Sequence, residues 1–141
     1  VKLSPNVTDI VTLAQAAADA HADAIVAINT LKGMSIDLDV RRPILANRTG
    51  GYSGPAIKPI GVRCVYDISQ HVSIPVIGVG GITTGADALE YLMAGASAVQ
   101  IGTAVYLRGP SVFSHITQEI TDWLTTHHVA RLSDLIGAAH P

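Results

Sequence analysis

Short apolar runs alternate along this chain with longer stretches of helical period. Residues 1–4 open it as a strand, with Val1 and Leu3 on one face and Lys2 and Ser4 on the other. Ser4-Pro5-Asn6 reads as a turn in which Asn6 can cap a helix, with Asp9 in its first turn. Val7, Ile10, Val11, Ala14 and Ala18 then fall on one helical stripe that runs to residue 20. Residues 23–29 (DAIVAIN) are a nearly continuous apolar run, the pattern of a parallel strand buried on both faces. Residues 74–79 and 97–101 give the third and fourth strands. Pro55 suits the first turn of a helix reaching about residue 71, and residues 86–93 form another helix that Gly95 stops. Helices over 111–126 and 132–136 close the chain. The stretch 30–55 is too long for a plain connection, and Ile44-Leu45-Ala46 could be a small extra strand within it.

Four strands, each followed by a helix, predict an α/β fold: a right-handed parallel βα array. Four such units are half of a TIM (β/α)8 barrel, and an independent doubly wound sheet is the alternative. The 141 residues fit one domain and fall short of a complete barrel, which needs about 250. The chain begins with Val1, already inside a strand, which predicts further residues upstream. Two helix-to-strand junctions are alike, Ala20-His21-Ala22-Asp23-Ala24 and Ala94-Gly95-Ala96-Ser97-Ala98. Glycine is the easy residue for a left-handed turn at position 95, and His21 is expected to take a positive φ at the equivalent place.

Composition narrows the classes of function. Charged residues make up 14% of the chain, against about 25% in an average domain. The net charge of -2 gives no basic field for nucleic acid and no polybasic membrane patch. No apolar run approaches the ~18 to 20 residues of a membrane span, and the opening residues have no leader pattern. The single cysteine, Cys64, excludes an internal disulfide and fits a reducing, cytoplasmic compartment.

Candidate chemistry gathers at strand tips. Gly78-Val79-Gly80-Gly81 ends the third strand and Ile101-Gly102-Thr103 ends the fourth. Glycine lets main chain approach a ligand with free N–H groups, and barrels commonly hold phosphate after their last two strands, at a short extra helix such as residues 103–106. The plain alternative is a pair of tight turns. Gly50-Gly51-Tyr52-Ser53-Gly54-Pro55 is either a flexible loop or another wall of the same anion site, with Gly54 N–H as donor. A dinucleotide fingerprint fails because Thr83 stands where its last glycine belongs, and a P-loop fails because Ala86-Asp87 follows Gly85. Lys2 either points into a barrel, where an anion or electron-rich ring would relieve its charge, or is solvated near the terminus. Asn29-Thr30 ends the second strand at the same rim, as a ligand contact or a turn cap. Cys64 sits among Val62, Val65 and Ile68 and reads as a small buried apolar residue. The six histidines show no metal-ligand spacing, so no metal is expected. His127 and His128 are expected to face solvent, and Trp123 and Phe113 to pack the closing helix. Asn6-Val7-Thr8 and Asn47-Arg48-Thr49 match the glycosylation pattern without any sign of secretion.

Five stretches in combination resemble class 1 dihydroorotate dehydrogenases: VKLSPN at 1–6, INTLKGM at 28–34, GGYSGPAIKP at 50–59, IPVIGVGGI at 74–82 and QIGTA at 100–104. The resemblance runs along essentially the whole chain. It implies the C-terminal half of an FMN-containing TIM barrel that oxidises dihydroorotate to orotate in pyrimidine (UMP) biosynthesis. By motif, Lys2 would approach the flavin ring, Ile28 would offer a backbone contact to FMN, and Gly54, Gly80, Gly81, Gly102 and Thr103 would hold its phosphate. Asn29 and Thr30 would bind the substrate's polar edge. The Asn-Thr-Leu-x-Gly-Met wording is similar to the NAD-linked subclass, which pairs with an iron–sulfur flavoprotein subunit.

The resemblance also implies an absent N-terminal half, which should carry the catalytic base, a cysteine in class 1; Cys64 is not at the corresponding place. The 141 residues alone are then expected to be inactive. An open half barrel leaves two strand edges unpaired, so a homodimer or pairing with the missing half is expected. Another FMN or phosphate barrel enzyme, or a non-catalytic phosphate-binding half barrel, are the competing readings.

Overall fold

The computed structural model describes residues 1–141. Four short strands, β1 (Lys2–Leu3), β2 (Ile25–Ala27), β7 (Val76–Val79) and β8 (Ala98–Gln100), form one all-parallel sheet in the order β1-β2-β7-β8. Helices α1 (Ile10–Asp19), α2 (Lys58–Ser69), α3 (Gly85–Met93), α4 (Thr103–Arg108) and α5 (Val112–Thr126) complete the βα rhythm. Between β2 and α2 the chain makes two antiparallel hairpins. Strand β3 (Leu31–Gly33) pairs with β6 (Gly50–Tyr52), and β4 (Ile36–Asp37) pairs with β5 (Arg42–Pro43). Two 3-10 turns, Pro55–Ile57 and Leu132–Leu135, lead into α2 and follow α5.

The register distinguishes the two faces of the sheet. Leu3, Ala27, Gly78 and Val99 lie side by side in one row, and Lys2, Val26, Ile77 and Ala98 in the next. The first row faces the helices: Leu3, Ala27 and Gly78 are buried, and Val99 packs against the core. The second row is half-buried or exposed. A doubly wound sheet would cover both faces. Here the helices cover one, which is the arrangement of barrel units around an interior. The apolar run at 23–29 had suggested a strand covered on both sides. Instead Val26 stays half-buried, because its face meets no opposing layer.

The core lies between sheet and helices, with Ile10 and Ala14 from α1, Cys64, Val65 and Ile68 from α2, and Ala88 and Tyr91 from α3. At ~0.8 kcal/mol per buried CH₂, this layer is the main source of stability. A smaller cluster, Leu89, Leu92 and Leu135 with Trp123 and Leu124, holds α5 and the tail onto α3. Phe113 does not share that role: it is 50% exposed. His127 and His128 are exposed, and the His127 ring stacks on Trp123.

Three local expectations change. The N-cap of α1 is Asp9, whose carboxylate accepts from the N–H groups of Val11 and Thr12, so the helix starts three residues later than the apolar stripe suggested. Asn6 is used elsewhere: its amide donates to Thr30 O and accepts from Lys32 N, tying β1's exit to β3. Residues 44–46 form no strand: the returning strand of the small hairpin is Arg42–Pro43, and Ile44 N donates to Ser35 O just past its end. The paired junctions behave as expected, with φ 61° at His21 and 106° at Gly95.

Candidate functional site

The carboxyl ends of the four parallel strands surround one hollow of ≈ 230 Å³. Lys2 enters it from β1, Ile28, Asn29 and Thr30 from the exit of β2, Gly80 and Gly81 from that of β7, and Gly102 and Thr103 from that of β8. Gly54 and Ser53 close the remaining side. All nine residues singled out in the sequence therefore meet in one place. Lys2 is the sole ionisable side chain in the lining, and no carboxylate enters it. An anion meets no like charge there and finds one cation.

The glycine tips shape the wall. Gly81 has φ 72°, and a Cβ placed on it would lie 2.8 Å from both Gly54 O and Lys58 N. The loop after β7 thus rests main chain to main chain on the entry to α2. Gly102 faces open space, with nothing within 4 Å of a built Cβ. Thr103 Oγ1 donates to Ser53 Oγ at 3.0 Å, linking the two rims.

The polar groups at the exit of β2 are partly committed. Ile28 N–H donates to Val79 O at 2.9 Å, which ties the exit of β2 to β7. Asn29 Oδ1 accepts from Thr30 N at 2.8 Å, so the side chain presents its amide NH₂ group. Thr30 packs against Gly51 so closely that a side chain at 51 would displace it.

A layer of charged and phenolic groups beneath the loop escaped the sequence reading. Tyr91 fits against Gly61 and Gly78, and its hydroxyl donates to Gly80 O at 2.7 Å. Burial pushes its phenol up, so it remains a donor. Asp87 Oδ2 accepts from Thr83 N and Thr84 N, each at 2.9 Å, and Oδ1 accepts from Lys58 Nζ at 2.8 Å. Burial alone would raise the Asp87 pKa. The Lys58 ammonium and the Thr83 and Thr84 donors outweigh it and hold the carboxyl far below the usual range. Arg108 donates to Thr83 O and pairs with Glu119, which accepts from Gly85 N. The Thr84-x-x-Asp87 capping box before an apolar run was the available signal for this layer.

Residues 1–124 match the family model "Dihydroorotate dehydrogenase". The chain belongs to the dihydroorotate dehydrogenase family. It is 60% identical over 138 residues to the "Dihydroorotate dehydrogenase B (NAD(+)), catalytic subunit" of Pelobacter propionicus, covering 98% of this chain and 45% of that protein. The protein of the same description from Methanocaldococcus jannaschii is 52% identical, with 99% and 45% covered. The crystal structure of the Eimeria tenella enzyme in complex with ferulenol superposes with a TM-score of 0.82 at 31% identity, covering 99% of this chain and 38% of that one. The chain thus spans about half the length of the curated relatives it matches, and its sheet is part of the family's TIM-barrel architecture.

Within this family's fold, Cys64 stands apart from the hollow. It is fully buried in α2, and burial pushes its thiol up. It is a packing residue and not a base. No three His, Cys, Asp or Glu side chains gather as a metal-holding group, and no helix is long and apolar enough to cross a membrane.

Proposed function

We propose that this chain supplies the phosphate-binding wall and part of the substrate edge of an FMN-dependent dihydroorotate dehydrogenase. The observation that carries the reading is the single carboxylate-free hollow at the tips of all four parallel strands, with Lys2 as its only charge. Such a hollow fits a phosphorylated planar ligand. Gly54, Gly80, Gly81 and Gly102 would turn main-chain N–H groups toward the phosphate, and Thr103 would add its hydroxyl. The Ile28 carbonyl would meet the polar edge of the ring system. Lys2 would lie beside the ring, where a cation favours added negative charge.

FMN, when bound, supplies the hydride acceptor for oxidation of dihydroorotate to orotate, the step that serves UMP biosynthesis. This chain's own residues bind and orient. Asn29 would direct its NH₂ group at a substrate carbonyl or carboxylate, and the hydroxyl of Thr30 would take the neighbouring position. As the family resemblance implies, the proton would be removed by a base outside these 141 residues. The open face and the free edges of β1 and β8 would be closed by the remaining barrel units or by a second copy. The NAD-linked description of the relatives supports an iron–sulfur flavoprotein electron-transfer subunit as partner. The buried unpaired Cys64 suits the cytoplasm.

Titration of the chain with FMN tests the reading, followed by quenching of flavin fluorescence. Saturable binding that inorganic phosphate competes away is expected. Dihydroorotate should bleach the bound flavin only when the complementing half is added. Colourless protein that binds phosphate alone would replace this reading with a non-catalytic half barrel.

A further inference from the structure

We propose that Lys58 and Asp87 staple together the two glycine walls of the hollow and are positioning residues for a phosphorylated ligand; this rests on the flavin reading above. Lys58 opens α2, and its main-chain N lies where a side chain on Gly81 would go. Asp87 lies in the first turn of α3 and accepts from the Thr83 and Thr84 amides of the loop that follows Gly81. The Lys58 Nζ to Asp87 Oδ1 distance is 2.8 Å, and Lys58 also reaches Glu90 Oε1 at 2.6 Å. These are the ionic links between the wall that begins at Gly54 and the wall that begins at Gly80.

Neither Lys58 nor Asp87 lines the hollow. The pair lies beneath the floor, with side chains 22% and 14% exposed. Two carboxylates outnumber the one ammonium, so the cluster offers a ligand no surplus positive charge. Recognition of a phosphate then falls to main-chain donors, which act only along fixed directions and weaken steeply when misaligned. Their spacing across the gap is therefore the quantity that decides affinity, and the partly buried ion pair holds it more firmly than a surface pair would. Arg108 and Glu119 hold the loop after β7 from α4 and α5, and Tyr91 joins it to Gly61 of α2 by close packing and one neutral hydrogen bond. Lys58 and Asp87 fix it relative to the other wall.

The test compares the wild-type chain with Lys58→Met, Asp87→Asn, the double variant and the conservative Lys58→Arg. Binding of FMN and of inorganic phosphate is measured well below each unfolding midpoint, together with amide hydrogen exchange of the ligand-free proteins. Each disruptive single variant should weaken both ligands about tenfold, the double variant no more than the worse single, and Lys58→Arg should restore most of the affinity. Exchange at Thr83 and Thr84 should quicken in Lys58→Met, although the substitution lies on the opposite wall; a role confined to general stability would leave those two amides no more affected than the rest of α3. If wild type binds FMN and the variants match it within about twofold, the staple is wrong and the flavin reading stands. If wild type binds neither ligand, the flavin reading falls, and the role toward a phosphorylated ligand falls with it. Unchanged Thr83 and Thr84 amides in Lys58→Met would then overturn the link between the walls as well, and quickened ones would uphold that link alone.

Discussion

From Asn29 to Ser53 no residue is buried, whereas the units on either side supply every member of the core. The four-stranded unit is held by packing: apolar side chains of the sheet's covered face meet those of α1, α2, α3 and α5. The arm formed by β3 to β6 is held by short ladders and by the Asn6 amide at its root. It carries Met34, Ile36, Leu38, Val40 and Ile44 in the open. Both roots of the arm, Thr30 and Ser53, lie on the rim of the hollow. Rigidity and exposure thus meet at the site, and substitutions should cost very different amounts on the two sides of that line.

The largest effect should come from Gly81→Ala. A positive φ and a methyl group forced onto Gly54 O and Lys58 N should lower stability by about 3 kcal/mol and abolish measurable FMN binding. Denaturant unfolding and flavin titration measure the two losses. Gly102→Ala, with open space beside it, should leave the unfolding midpoint unchanged.

Acid should come next. The Asp87 carboxyl titrates below its ordinary 3.8 in the folded chain. The stability it contributes is therefore complete well above that pH and is lost as pH falls below 3.8 toward the folded value. An acid titration followed by circular dichroism should show this loss, and Asp87→Asn should make the slope below pH 3.8 shallower. Tyr91→Phe removes the donor to Gly80 O in a dry setting and should cost about 1 to 2 kcal/mol, with a smaller loss of FMN affinity. Smallest of all, Leu38→Ser in the arm, where the side chain is 84% exposed, should change stability by less than about 0.5 kcal/mol. A large cost there would show that the arm packs against something in solution.

The same division governs what could be read in the sequence. Sheet strands and helices were legible because burial imposes periodicity, and the left-handed turn at His21 was legible because its neighbours repeat those of Gly95. The glycine tips were legible because few structural roles require glycine at successive strand ends. The arm was not. Its ladders join residues such as Lys32 and Gly51, which carry no strand pattern, and no buried face selects among its polar and apolar positions. Asn6 was misread as a cap because an amide two positions after Ser4 suits a local turn as well as it suits Thr30 and Lys32, far along the chain. Lys58 and Asp87 left no mark of their partnership, since an ion pair across 29 residues has no period.

The packing around Gly81 has a consequence for how this sequence can drift. Any codon change that replaces glycine adds at least a methyl group, and here the first atom met is main chain, which cannot swing aside as a flexible side chain would. No graded series of substitutions leads away from that position, so a lineage can leave it only by rebuilding the entry to α2 in the same step. Gly102, at the next strand end of the same hollow, leaves room for small residues to be sampled one at a time.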